Sequence, residues 1–299
     1  YDVETSEYVE NAILAKKYDK NENDNALLKE TEKCHSNYNY HTNLSNSFVY
    51  EKNNYFIEPR GIFGKIDNIL NKNQYVIITG SPGVGKSSCA SEYTRRVVSN
   101  SKNNNLIIRS LSASTNSSIY NQYLEIAREH GQIDVDKLSK ELVIKKVHSY
   151  LANIGKVILV FDNVDNYDNV TEYLKNMPLN IKLIITSRNN SLPKSLNNNY
   201  QVKLAPFTKS ESIKYLKLVL EDRVKSGQVS DTELNKFVEE LGSPDWAMAY
   251  KLDKVAAWFK EKQQAGIDEY VKKHKSGEEE GGESALLFDL LKDSPRAWE

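Results

Sequence analysis

The sequence predicts an α/β fold in which a parallel sheet alternates with helices and is followed by a small helical subdomain. Three observations carry this. Short apolar, β-branched runs recur between stretches of helical period, as buried parallel strands do. The first of these runs leads into a glycine-rich loop that opens a helix. From Thr208 onward the period is helical only, so the α/β pattern ends near Pro206.

The loop organises the rest. Gly80-Ser81-Pro82-Gly83-Val84-Gly85-Lys86-Ser87 fits G-x-x-x-x-G-K-[ST], the phosphate-binding loop of nucleoside-triphosphate binders. Val76 to Thr79 reads as the strand before it. Ser87 to Val98 reads as the helix after it, with Ala90, Tyr93 and Val97 on one face. Gly80, Gly83 and Gly85 let main-chain N–H groups approach an anion, and the helix turns its positive end toward it. In this chemistry Lys86 bridges the β- and γ-phosphates and the Ser87 hydroxyl ligates Mg2+.

In chain order, residues 1–53 read as a helical arm or linker, with apolar pairs at Tyr8-Val9, Ile13-Leu14 and Leu27-Leu28. Tyr55 to Leu70 has a strand-like start, then a helix face at Phe63, Ile66 and Ile69-Leu70. Leu106 to Arg109 reads as a second strand, and Ile119–His130 and Leu138–Leu151 as helices. Lys156 to Asp162 is an apolar strand ending in an acid, where the Mg2+-holding aspartate of a phosphate-loop protein sits. A short helix at Val170–Leu174 precedes the strand Ile181–Ser187, which ends in a hydroxyl pair and Arg188. At that edge Arg188 can reach a γ-phosphate. Tyr200–Leu204 is one more strand, followed by helices at Ser210–Arg223, Thr232–Leu241 and Trp246–Lys262. The resulting organisation is an arm over 1–53, a nucleotide-binding domain over 54–205 and a helical subdomain over 206–275. An acidic, Gly-rich linker follows over 276–284, and 285–299 reads as the start of a further module.

Composition narrows the class. A net charge of −1 and a pI near 6.6 give no global pull toward nucleic acid or anionic membrane. No apolar run approaches the length of a membrane span. No secretory signal opens the chain, and its first residue, Tyr1, suggests a fragment or processed form. Two cysteines, Cys34 and Cys89, show neither a disulfide framework nor metal spacing and read as free thiols of a reducing, cytoplasmic compartment.

The ordered motifs resemble the NB-ARC class of STAND nucleotide-binding switches, and most of all those that continue into tetratricopeptide repeats. The resemblance runs through the entry segment Phe56–Leu70 and the loop and helix over 79–96. It continues through the second strand and helix over 107–127, the acidic strand over 157–174 and the LIITSRN strand over 183–189. It ends in the approach to the helical subdomain over 202–216 and the Gly-x-Pro segment over 241–259. It implies a switch that is closed with ADP, and open and self-associating with ATP, with protein partners bound through C-terminal repeats. Carried over, Gly80, Ser81, Gly83, Val84, Gly85, Lys86, Ser87 and Ser88 would bind phosphates, and Ser87 and Asp162 would serve Mg2+. Arg188 would be the sensor, and Arg60 and Pro244 would contact the adenine. Asn163 stands where many relatives carry a second, water-orienting aspartate. Asparagine cannot take a proton as a carboxylate can, so the resemblance implies slow hydrolysis. Asp165 is a displaced substitute. Gly-Ser-Pro-Asp replaces the usual apolar continuation after the proline, and no Met-His-Asp element is present. Two other readings remain: a non-hydrolysing scaffold with structural ADP, and an ordinary phosphate-loop enzyme. Against the second stand the lack of an Asn-Lys-x-Asp guanine element and of a kinase-like lid.

Overall fold

The computed structural model describes residues 46–101, 106–129, 135–240 and Leu252. The expected helices of the arm, the helix at Trp246–Lys262 apart from Leu252, the acidic linker and Pro244 lie outside the described residues. Five parallel strands, β1 (Tyr75–Thr79), β2 (Leu106–Ser112), β3 (Lys156–Asp162), β4 (Ile181–Ser187) and β5 (Gln201–Lys203), form one sheet in the order β2-β3-β4-β1-β5.

Side chains alternate across each strand, so β1 to β4 each feed two cores, while the short β5 gives only Val202 to one of them. Ile77, Leu159, Phe161, Leu183 and Ile185 face one side. There they meet α3 (Asn116–Glu129), α4 (Lys140–Ile154) and α5 (Asp168–Leu174). Val76, Ile78, Ile158, Val160 and Ile184 face the other, against α1 (Ile62–Leu70) and α2 (Lys86–Asn100). The fold is therefore three-layered, and both faces of the sheet are covered, as all-parallel sheets require. A third apolar cluster forms around α6 (Lys209–Val219), α7 (Glu221–Lys225) and α8 (Asp231–Glu240). α6 starts on a capping box: Thr208 Oγ1 accepts from Glu211 N, and Thr208 N donates to the Glu211 carboxylate.

Three expectations need correction. The strand-like start at Tyr55 is irregular backbone, because Ile57 is drawn into the third, helical cluster rather than into a sheet. The helix expected over Ser210–Arg223 is broken at Leu220 (φ −102°, ψ 24°), whose side chain is buried in that cluster. The strand expected to stop at Arg109 runs on to Ser112, through serines that alternation in an edge strand hides.

That edge is closed from within. Along the outer side of β2, Ile108 N donates to Asn46 Oδ1 and Ile108 O accepts from Ser47 N, both at 2.9 Å. Ser110 N donates to Ser47 Oγ, and Ser112 exchanges hydrogen bonds with the Gln122 side chain. These contacts occupy groups that would otherwise template another strand. The same segment grips the helix after the phosphate loop: Tyr50 O accepts from Ser91 Oγ, and Asn53 N donates to Glu92 Oε1.

The core on the α3–α5 side holds a buried His148, whose Nε2 lies 3.1 Å from Tyr123 Oη. Burial pushes this imidazole down to about 4 from an ordinary value of 6.5. The native state therefore keeps it neutral while the unfolded chain takes up a proton. Its contribution is complete above pH 6.5 and falls away as the pH drops toward 4, at up to about 1.4 kcal/mol per unit. Denaturant titrations at pH 7 and pH 5 should show wild type losing about 2 kcal/mol more than His148→Gln. Equal losses would contradict this.

Candidate nucleotide site

The loop between β1 and α2 is held by its own sequence. A Cβ on Gly80 would lie 2.5 Å from the Leu204 carbonyl oxygen and 3.0 Å from Val84 Cγ1, so no side chain fits there. Gly85, the N-cap of α2, has φ 93°, a conformation open to glycine. Val84 is buried in the core and pins the loop to the domain, while Ser81 and Gly83 stay exposed. Lys86 is buried and curls back over the loop: its Nζ donates to the Gly80 and Ser81 carbonyl oxygens, each at 3.0 Å. Burial lowers its pKa first and the nearby Arg188 charge lowers it further, while Asp162 acts in the opposite sense. Arg188 and Asp162 therefore both lie within electrostatic reach of Lys86. Ser87 and Ser88 are half-buried in the first turn of α2.

The strand order explains this convergence. β4 lies between β1 and β3, with Ile78 opposite Thr186 and Phe161 opposite Ile185. The carboxyl ends of β1, β4 and β3 thus place the loop, the Thr186-Ser187-Arg188 turn and Asp162 side by side. Ligands bind at that end of parallel sheets. Thr186 Oγ1 donates to Asp162 Oδ1 at 2.6 Å and accepts from Asn163 N at 2.9 Å. Ser187 Oγ donates to Val164 O at 2.6 Å, and Tyr167 Oη to Asn189 O at 2.6 Å. The two turns are stitched together. Asn163 adopts φ 62°, and asparagine and aspartate are among the few residues that take this backbone readily. Asp165 is exposed.

Mg2+ asks for oxygen donors, usually one or two carboxylates completed by substrate phosphates. The Ser87 hydroxyl and the Asp162 carboxylate fit that demand. Among the described residues no group of three or more His, Cys, Asp or Glu could form an all-protein cage.

On the other side of the loop, Gly85 and Ser88 border a narrow cleft closed by Tyr55, Phe56, Phe207 and Tyr215. Its volume is about 30 Å3, too small for a purine. The sequence singled out none of these aromatics. The signal available was their position: Tyr55 and Phe56 lie just before α1, Phe207 just before α6, and Tyr215 within α6. Arg60 does not line the cleft. It is exposed, has φ 22°, and its Nε lies 3.7 Å from Glu211 Oε1 at the start of α6. Cys89 is a free, buried thiol whose pKa burial pushes up to about 12, so it is inert. Among the described residues no helix is long and apolar enough to cross a membrane.

Comparisons with known proteins agree with this geometry. The family model described as the NB-ARC domain matches residues 61–225, more than half of the chain. No curated protein matches. Similar solved structures include a Walker-type ATPase of Pyrococcus abyssi, 16% identical with a TM-score of 0.49 over 81% of this chain and 77% of that one. Cdc6p of Pyrobaculum aerophilum is 17% identical, with a TM-score of 0.47 over 75% of this chain and 67% of that one. A STAND protein with a tetratricopeptide-repeat sensor from Pyrococcus horikoshii is 17% identical, with a TM-score of 0.42. It matches 67% of this chain, which spans 30% of that protein. By the extent of the domain match, together with the glycine loop and the strand ending in Asp162, the chain belongs to the NB-ARC family of phosphate-loop nucleotide-binding domains.

Proposed function

We propose that this chain is an ATP/ADP switch that hydrolyses ATP slowly and couples the nucleotide state to opening of the helical subdomain and to self-association. The observation that carries the reading is the meeting of the glycine loop, Asp162 and the turn that bears Arg188 at the carboxyl ends of three neighbouring strands. Lys86 would exchange its two loop carbonyls for phosphate oxygens, which are better partners for a buried ammonium. The loop N–H groups and the α2 N-terminus would hold the remaining phosphate charge. Ser87 and Asp162 would hold Mg2+, which when bound neutralises the charge that develops on the phosphates. Arg188 would bind the γ-phosphate, so its partners differ between ATP and ADP. Pro244 is proposed to pack on the adenine, and Arg60 to tie the entry segment to α6 through Glu211.

The geometry of Asn163 bears on the alternative, a non-hydrolysing scaffold with structural ADP. Its backbone N–H is committed to Thr186, and its side chain supplies no base. Light scattering on the purified chain separates the two readings. The switch predicts a larger particle with a non-hydrolysable ATP analogue than with ADP. One particle size in both states would favour the scaffold.

A further inference from the structure

We propose that Thr186 is the positioning residue for Asp162, fixing the orientation in which that carboxylate meets Mg2+. The proposal rests on the nucleotide-and-Mg2+ reading above and goes beyond it by assigning a role to a residue that contacts neither phosphate nor metal in that reading.

A threonine hydroxyl has one proton and two lone pairs. The Asn163 N–H at 2.9 Å fills an acceptor position of Thr186 Oγ1. Its proton is then directed to Asp162 Oδ1, at the short distance of 2.6 Å typical of a hydroxyl bound to a carboxylate. Thr186 is 1% exposed, so water cannot stand in for either bond. Its rotamer is limited by β-branching, and its backbone is locked in β4, opposite Ile78 of the strand that carries the phosphate loop. That bond takes one lone pair of Asp162 Oδ1 and fixes the rotation of the carboxylate, so that Oδ2 would be the oxygen turned to the metal or to a water on it. The neighbouring hydroxyl cannot take over, because Ser187 Oγ is already committed to Val164 O.

The same geometry accounts for Asn163. The N–H that orients Thr186 comes from a residue at φ 62°, so this position selects for backbone conformation as well as for chemistry.

The test is a titration of the full chain with a fluorescent ADP analogue, in excess MgCl2 and in EDTA. Wild type should bind more tightly with Mg2+. Groups that orient a metal ligand typically change metal affinity about 10- to 100-fold. Thr186→Val should therefore lose about tenfold of the Mg2+-dependent gain while its affinity in EDTA stays within about twofold of wild type. Thr186→Ser, which keeps the hydroxyl, should restore most of the gain. In an Asp162→Asn background, Thr186→Val should change nothing further. Thr186→Ala, without the added methyl of valine, serves if the valine variant does not fold. Equal weakening with and without Mg2+, or a serine variant that behaves like valine, would overturn the proposal. Failure of the underlying reading is distinct, because it appears already in wild type as absence of binding or of any Mg2+ effect.

Discussion

Lys86→Ala is expected to weaken ADP and ATP binding by about two to three orders of magnitude, with little change in stability of the nucleotide-free protein. Losing one partner of a desolvated charge pair costs about 2–5 kcal/mol, most of it through the partner left behind. Here that partner is the phosphate. In the free protein, by contrast, Lys86 is held by the carbonyl oxygens of Gly80 and Ser81 and by the more distant attraction of Asp162. Burial and the Arg188 charge already work against its ammonium. Removing it therefore gives up two hydrogen bonds and the attraction of Asp162 but also relieves desolvation and the repulsion of Arg188, and the balance lies within about 1 kcal/mol. Calorimetric titration and a thermal melt, run on the same samples, check both halves. A variant that still binds ADP tightly contradicts the role of Lys86. One that melts far below wild type without nucleotide shows the residue to be structural.

Asn163→Asp is expected to raise the steady-state rate of ATP hydrolysis, by about tenfold to a hundredfold. A positioned general base contributes about 10²–10⁴, and a site not otherwise tuned for turnover should reach no more than the bottom of that range. The fold should accept the change. Aspartate tolerates the left-handed backbone at φ 62°, and the N–H that donates to Thr186 is unaltered. The new carboxylate would stand next to Asp162, and their mutual repulsion is offset only when a cation lies between them and the phosphates. The gain should therefore be steeply Mg2+-dependent. Phosphate release measured across a range of MgCl2 tests this. An unchanged rate at every Mg2+ concentration would mean that position 163 does not face the attacking water.

Most of the nucleotide-domain fold was legible because its signals are local. β1, β3 and β4 are apolar runs bounded by turns, and the glycine loop specifies the strand before it and the helix after it. β2 was read short because Ser110 and Ser112 look like loop residues. They belong to the sheet because they pair with Val160 and Asp162 of β3, and Ser47, 63 residues before Ser110, satisfies the outer edge. The break at Leu220 carries no glycine or proline. It is set by the pull of the third cluster on a buried leucine, which no local rule contains. At the site, Lys86, Ser87 and Asp162 followed from motif and strand-end position. Thr186 was visible only as one of a hydroxyl pair. Its role depends on β4 lying between β1 and β3, and strand order is not written in any one segment. The aromatic walls of the cleft were missed for a related reason: Tyr55 and Tyr215 are 160 residues apart and meet only through the tertiary fold.

The central claim is that this site holds an adenine nucleotide and exchanges it between two states. The most direct measurement is the nucleotide content of the purified protein, released by denaturation and separated by anion exchange. Wild type should carry ADP in near-stoichiometric amount, and Lys86→Ala should lose it. A chain that carries no nucleotide, and then binds neither added ADP nor ATP, would contradict it.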